Sequence, residues 1–204
     1  MNILLLLIII NLNGDYTARA DSFLSLAEYN PAAIDSAVYY YREASENDTS
    51  AIRALVDALD YKFTVLLKDS NTASAIMDQI EEMERRYSDK KPLPVLYFLI
   101  VMWGRYGEQT GIMDAVRHNV PNTIRQYALE LYQKRKSYGD WAAALTLGRL
   151  HYMTPRIPLF LTWPSLEKSQ MFLEEFVNNA EDTSLGMQYL RETREKLKGK
   201  RRTG

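Results

Sequence analysis

The chain has 204 residues, with 25 Lys+Arg against 26 Asp+Glu for a formal net charge of -1, 47% hydrophobic residues and no cysteine. Only 9 Gly and 7 Pro occur, so the composition excludes a disordered or collagen-like chain; the missing cysteine excludes thiol catalysis, Cys-ligated zinc, iron-sulfur clusters and disulfides together. Balanced charge gives no field for drawing in nucleic acid, and two histidines, His118 and His151, leave little for metal or triad chemistry.

The first element is an unbroken apolar run from Ile3 to Ile10. Eight residues are too few to span a bilayer as a helix, which takes about 20. The run has the length of a secretory-signal core, and Ala18-Arg19-Ala20 has the small-x-small form that signal peptidase cleaves. Residues 1–20 are therefore expected to be a signal peptide, with Asp21 the mature N-terminus and the protein exported, in the periplasm. The other reading makes the run a first helix of a cytoplasmic protein.

Apolar spacing predicts helices from there on, with no sustained period-two run. The expected spans are Ser22 to Glu28, Pro31 to Glu46, Ser50 to Leu67, Asn71 to Tyr87 and Pro94 to Gly107. The second half continues with Ile112 to His118, Asn122 to Lys134, Asp140 to Met153, Ser165 to Asn178 and Ser184 to Leu197. Pro31 suits a first helical turn, and Asp48, Ser50, Asn71, Asn122, Asp140 and Ser165 carry side-chain oxygens for free helical amides. Pro155, Pro158 and Pro164 forbid helix through the connector Met153 to Pro164. That connector is apolar, with Ile157, Leu159, Phe160, Leu161 and Trp163, and is expected to pack over the helices or line a cleft. Residues 21–198 are read as one all-α domain of antiparallel helix pairs forming a degenerate tetratricopeptide-like superhelix or bundle, and 199–204 as a basic disordered tail.

Within the pairs, Ala37, Tyr41 and Ala44 set a small-large-small pattern that Ala73, Met77 and Ile80 repeat 36 residues later. Leu147-Gly148 before His151 and Tyr152, and Trp103-Gly104 before Tyr106, look like first helices of pairs with glycine at the tightest crossing. A period near 34 residues with such cues belongs to tetratricopeptide repeats. The stretches Leu96-Tyr-Phe-Leu-Ile-Val-Met-Trp-Gly-Arg-Tyr, Tyr138-Gly-Asp-Trp-Ala-Ala-Ala-Leu-Thr-Leu-Gly-Arg-Leu-His-Tyr and Ser165-Leu-Glu-Lys-Ser-Gln-Met-Phe-Leu-Glu-Glu carry a resemblance. From Tyr97 to Val177 the chain resembles the TRAP-transporter T-component family (TatT), whose fold holds cryptic tetratricopeptide-like repeats; related helical repeats occur in the regulator-of-microtubule-dynamics family. The resemblance implies an exported protein that associates with the periplasmic solute-binding subunit of a tripartite ATP-independent transporter. Members of that family are typically lipoproteins; this chain lacks the lipid-acceptor cysteine, so the implied form is soluble and membrane association stays open.

Candidate binding residues are those whose chemistry suits a partner. Arg105 and Arg149 follow Gly104 and Gly148, and either meet a carboxylate on a concave face, through the two-donor arginine fork, or pair within the helices. His151, Tyr152 and Arg156 extend that polar patch unless the histidine is structural. Tyr39, Trp103 and Trp163 are candidates for an aromatic groove, while Tyr41 and Trp141 read as core. No facing acid pair, His-Glu-x-x-His, phosphate loop or Gly-x-Ser-x-Gly occurs, so no enzymatic activity, metal or cofactor is expected. The expected partner is a protein; a small apolar or acidic ligand under Ile157 to Trp163, a second copy of the chain and a generic tetratricopeptide adaptor role are the alternatives. The cations of Lys196 to Arg202 suit either a solvated helix end or an anionic surface.

Overall fold

A computed structural model describes residues 16–66, 71–159 and 161–203. The apolar run at 3–10 and Phe160 lie outside the described residues. The described residues are all-helical: α1 Tyr16–Ala27, α2 Ala33–Asn47, α3 Ala51–Tyr61 with a π-helical continuation Lys62–Leu66, α4 Thr72–Arg86, α5 Leu93–Thr110, α6 Ile112–Arg117, α7 Val120–Lys134, α8 Ala142–Met153, α9 Leu166–Asn179 and α10 Ser184–Thr203. The sole extended pairing among them is a bridge between Ile157 and Leu161 in the connector. The chain divides into two compact units, the first ending at Arg105 and the second beginning at Tyr106, so the division falls inside α5.

In the first unit, α1 packs on α2 and α2 on α3. Side chains then join α2 to α4 and α3 to α5. From α2 to α4, Arg42 reaches Gln79 Oε1 at 2.5 Å and Glu82 at 3.5 Å, and Arg86 reaches Glu46 at 3.1 Å. From α3 to α5, Arg105 holds Asp60 and the Arg53 guanidinium lies 4.5 Å from the Tyr97 ring centre. Burial of Ile52, Leu55, Val56, Leu59 and Phe63 on α3, and of Val95, Leu96, Phe98, Leu99 and Met102 on α5, supplies the core. At about 25 cal/mol per Å² of apolar area removed from water, this burial is the dominant favourable contribution.

The second unit repeats the scheme. Helix α8 packs on α7, α9 and α10, and α9 on α10. Tyr132 of α7 meets the Phe172 ring of α9 edge-on at 5.5 Å, and its hydroxyl donates to Glu175. Small residues set the α8–α9–α10 crossing. Gly148 lets the Leu173 side chain lie where a Cβ would stand, and the buried Ser169 hydroxyl donates to the Gly148 carbonyl at 2.8 Å and meets Thr193 Oγ1 at 3.1 Å. The Asp140 carboxylate accepts from the backbone N–H of Glu181 at 2.9 Å, tying the α7–α8 turn to the α9–α10 turn. That turn carries positive φ at Gly139, Asp140 and Trp141, tolerated readily only by the first of the three.

Several local expectations change. Ser165 caps α9 by accepting from Lys168 N–H at 3.2 Å, as its hydroxyl allows. Asn71 precedes α4 without a side-chain cap bond, and α7 begins at Val120 with Pro121 in its first turn, so Asn122 lies inside it. Ala37, Tyr41 and Ala44 are all buried, whereas α4 buries Thr72, Ile76, Ile80 and Met83 in place of Ala73 and Met77. Of the three echo positions Ile80 is buried, while Ala73 and Met77 are partly exposed. A Cβ on Gly104 would meet nothing within 4 Å, so the tight approach on α5 is at Gly107, facing Val120. The backbone of 199–203, read from the sequence as a disordered tail, continues α10. No described helix is long and apolar enough to cross a membrane.

Candidate functional site

The three consecutive tyrosines of α2 point three ways, as a 100° step per residue demands. Tyr41 is buried and donates to Asp21 of α1 at 2.5 Å; burial and this acceptor push its pKa up. Tyr40 lies against α1, stacked on Phe23 at 5.5 Å with the Arg19 guanidinium 5.7 Å away. Tyr39 is left 54% exposed, edge-on to Tyr40.

Tyr39 stands at the rim of a groove of about 290 Å³ bounded by α2, α3 with its π-turn, and α4. Its floor is Val38, Leu59, Phe63 and Ala75, and its polar rim is Asp35, Arg42, Lys62, Asp78 and Gln79. The π-turn widens the helix by one residue per turn, burying Phe63 while Lys62 reaches Asp35 at 2.7 Å. Two cations and two anions thus rim an apolar floor, with Lys62 paired to Asp35 and Arg42 to Gln79 and Glu82. Such a rim pairs with the amides and charges of a polypeptide segment, and the aromatic ring contributes area at little conformational cost. The π-turn and the charged rim are what sequence reading missed; a π-turn leaves no compositional mark.

The other candidates of the first unit are internally engaged. Arg105 forms a two-point bond to Asp60, Nε to Oδ1 at 2.5 Å and Nη2 to Oδ2 at 3.0 Å. Trp103 Nε1–H donates to Glu84 at 3.3 Å. Both partners lie on neighbouring helices of the same chain, Asp60 on α3 and Glu84 on α4.

The second unit separates the remaining candidates onto two faces. His151 is buried, edge-on to Trp163 at 5.1 Å and stacked near Phe172 at 5.9 Å. Its Nδ1 accepts from the Ser165 backbone N–H at 3.2 Å, which puts any ring proton of the neutral form on Nε2. Burial, helped by the Lys168 and Arg125 charges, pulls its pKa down to about 4. Trp163 Nε1–H donates to Asn122 Oδ1 at 2.6 Å, and its ring lies under the Arg125 guanidinium at 5.1 Å. Leu161 is buried and Trp163 half-buried, so the connector does pack over the helices, but Leu159 at its tip is 93% exposed at φ 71° and covers nothing.

Arg149 and Tyr152 face α10 instead. The Arg149 guanidinium lies 5.0 Å from the Tyr189 ring, Tyr189 lies 5.7 Å from Tyr152, and Lys196 Nζ is 3.7 Å from the Tyr152 centroid. A bond to Glu192 raises the Tyr152 pKa. The result is a pair of adjacent rings with a cation at each end along the α8–α10 contact. Arg156 is exposed on the connector. Proximity in sequence thus puts His151 and Tyr152 on different faces. Among the described residues no three His, Asp or Glu side chains converge as a metal site. No family model, no curated protein and no solved structure matches this chain.

Proposed function

We propose that the chain is a non-enzymatic helical-repeat scaffold of the exported compartment, binding a solute-binding subunit through the groove at Tyr39. The observation that carries the reading is that groove: an exposed ring beside charges of both signs over an apolar floor, built by three successive helices. Further support comes from the side-chain contacts that join α2 to α4, α3 to α5, α7 to α9 and α8 to α10, as the stagger of a tetratricopeptide-like superhelix would. The resemblance of Tyr97 to Val177 to the TRAP-transporter T components supplies the partner class.

The test is capture from a periplasmic extract with the full chain and its Tyr39→Ala variant, followed by identification of retained proteins. A solute-binding subunit retained by the first and lost with the second is the expected result. Retention of cytosolic proteins only, or equal retention by both chains, refutes it.

A further inference from the structure

A second concave surface lies in the other unit. Among the described residues it is lined by α9 and α10 alone, with a volume of about 460 Å³. Its apolar part is Val177, Leu190 and Met187, the last 54% exposed. The α10 residues that line it, Met187, Leu190, Arg191, Arg194, Glu195 and Lys198, share one face of the helix, apolar at its start and charged beyond, with three cations and one carboxylate. Helix geometry of 1.5 Å per residue spreads the cations over about 10 Å.

Three cations and two carboxylates line the trough, an excess of one positive charge. Glu174 is already held by Arg194 at 2.8 Å and by Gln170 at 2.8 Å, which keeps its carboxyl below the usual range. Arg191 and Lys198 remain exposed at the rim, with Glu195 the other carboxylate lining the cleft. A trough between two packed helices has the shape that ridges of a third helix enter, and the apolar floor asks for residues at i, i+3 or i+4 and i+7. A flat bilayer fits a trough poorly, and a nucleic-acid backbone gains nothing from exposed methionine.

We infer that the α9–α10 trough docks an amphipathic helix of a partner protein, with its apolar stripe on Val177, Met187 and Leu190 and its acidic flank toward Arg191 and Lys198. This surface is distinct from the Tyr39 groove and does not depend on it. Charge selects the partner and speeds its approach, and burial of the apolar stripe holds it.

The probe is a designed fluorescent helical peptide with leucines at i, i+3, i+4 and i+7 and glutamates on either flank, titrated with the full chain by anisotropy. Its control keeps the leucines and replaces the glutamates by lysine. The acidic peptide should bind at least about tenfold tighter than the control, and the preference should shrink as salt shortens the screening length below about 10 Å. The variant R191E/K198E, at two exposed positions, should lose that preference, and Tyr39→Ala should retain it. Equal binding of both peptides, no binding of either, or loss with Tyr39→Ala overturns the proposal. So does tighter binding to phosphatidylglycerol vesicles than to the acidic peptide, which assigns the stripe to lipid. Capture of a solute-binding subunit failing while the peptide preference holds would sink the Tyr39 reading and leave this one standing.

Discussion

Alanine placed at Gly104 and at Gly148 makes the same chemical change in two helix interiors with opposite expected outcomes. Removing glycine from a helix relieves a backbone-entropy cost of about 1 kcal/mol. At Gly104 the added methyl meets nothing within 4 Å, so that gain should appear undiminished. At Gly148 the methyl would stand 2.6 Å from Leu173 Cγ, 2.8 Å from its Cδ2 and 3.3 Å from its backbone nitrogen. Leu173 is fully buried, so it cannot swing into solvent to make room. Overpacking of this kind costs about 1–3 kcal/mol, leaving a net loss of roughly 0–2 kcal/mol after the helix gain is subtracted. Each kcal/mol moves the midpoint of a unit of about 100 residues by about 4–8 °C. Gly104 and Gly148 belong to different units, so calorimetry should show the first unit's transition rising in Gly104→Ala and the second unit's falling or unmoved in Gly148→Ala. If Gly148→Ala raises its transition as much as Gly104→Ala does, Leu173 yields freely and the close crossing does not constrain the unit.

His151 makes the second unit acid-sensitive. Its folded pKa of about 4 lies below the ordinary 6.5, so the unfolded chain binds the proton more readily and stability falls as pH drops from 6.5 toward 4. At pH 5 the loss is about 2 kcal/mol, read as the difference in urea midpoint between pH 7.5 and 5, and His151→Gln should flatten it. Trp163→Ala opens the ring to water, so the His151 titration followed by NMR should move up toward 6.5; an unmoved titration would show that the connector does not cause the burial. Arg105→Ala leaves the Asp60 carboxylate without its two-point partner and should cost about 1 kcal/mol by urea unfolding, with lysine at 105 restoring little because it cannot fork.

Much of the helix inventory was legible because it rests on local rules. Proline positions set the connector, the Ser165 hydroxyl set the start of α9, and the apolar stripe of α3 marked its buried face. The site was far less legible. Helical spacing separates Tyr39, Tyr40 and Tyr41 and marks Tyr41 as core, but the Asp21 acceptor of Tyr41 and the Phe23 ring against Tyr40 come from the placement of α1. Arg105 and Arg149 follow glycine in the same way, yet the first meets a carboxylate across α3 and the second an aromatic ring on α10. Which chemistry each received depended on helices distant in sequence.

The sequence by itself determined an all-helical chain without cysteine chemistry, its proline-bounded connector and most helix starts, since periodicity, proline stereochemistry and capping act within a few residues. Tertiary structure decided the division into two units, the register of α4, the π-turn that shapes the Tyr39 groove and the cationic trough of α9 and α10. Those features depend on which faces meet, and a 3.6-residue period fixes a face without fixing its partner.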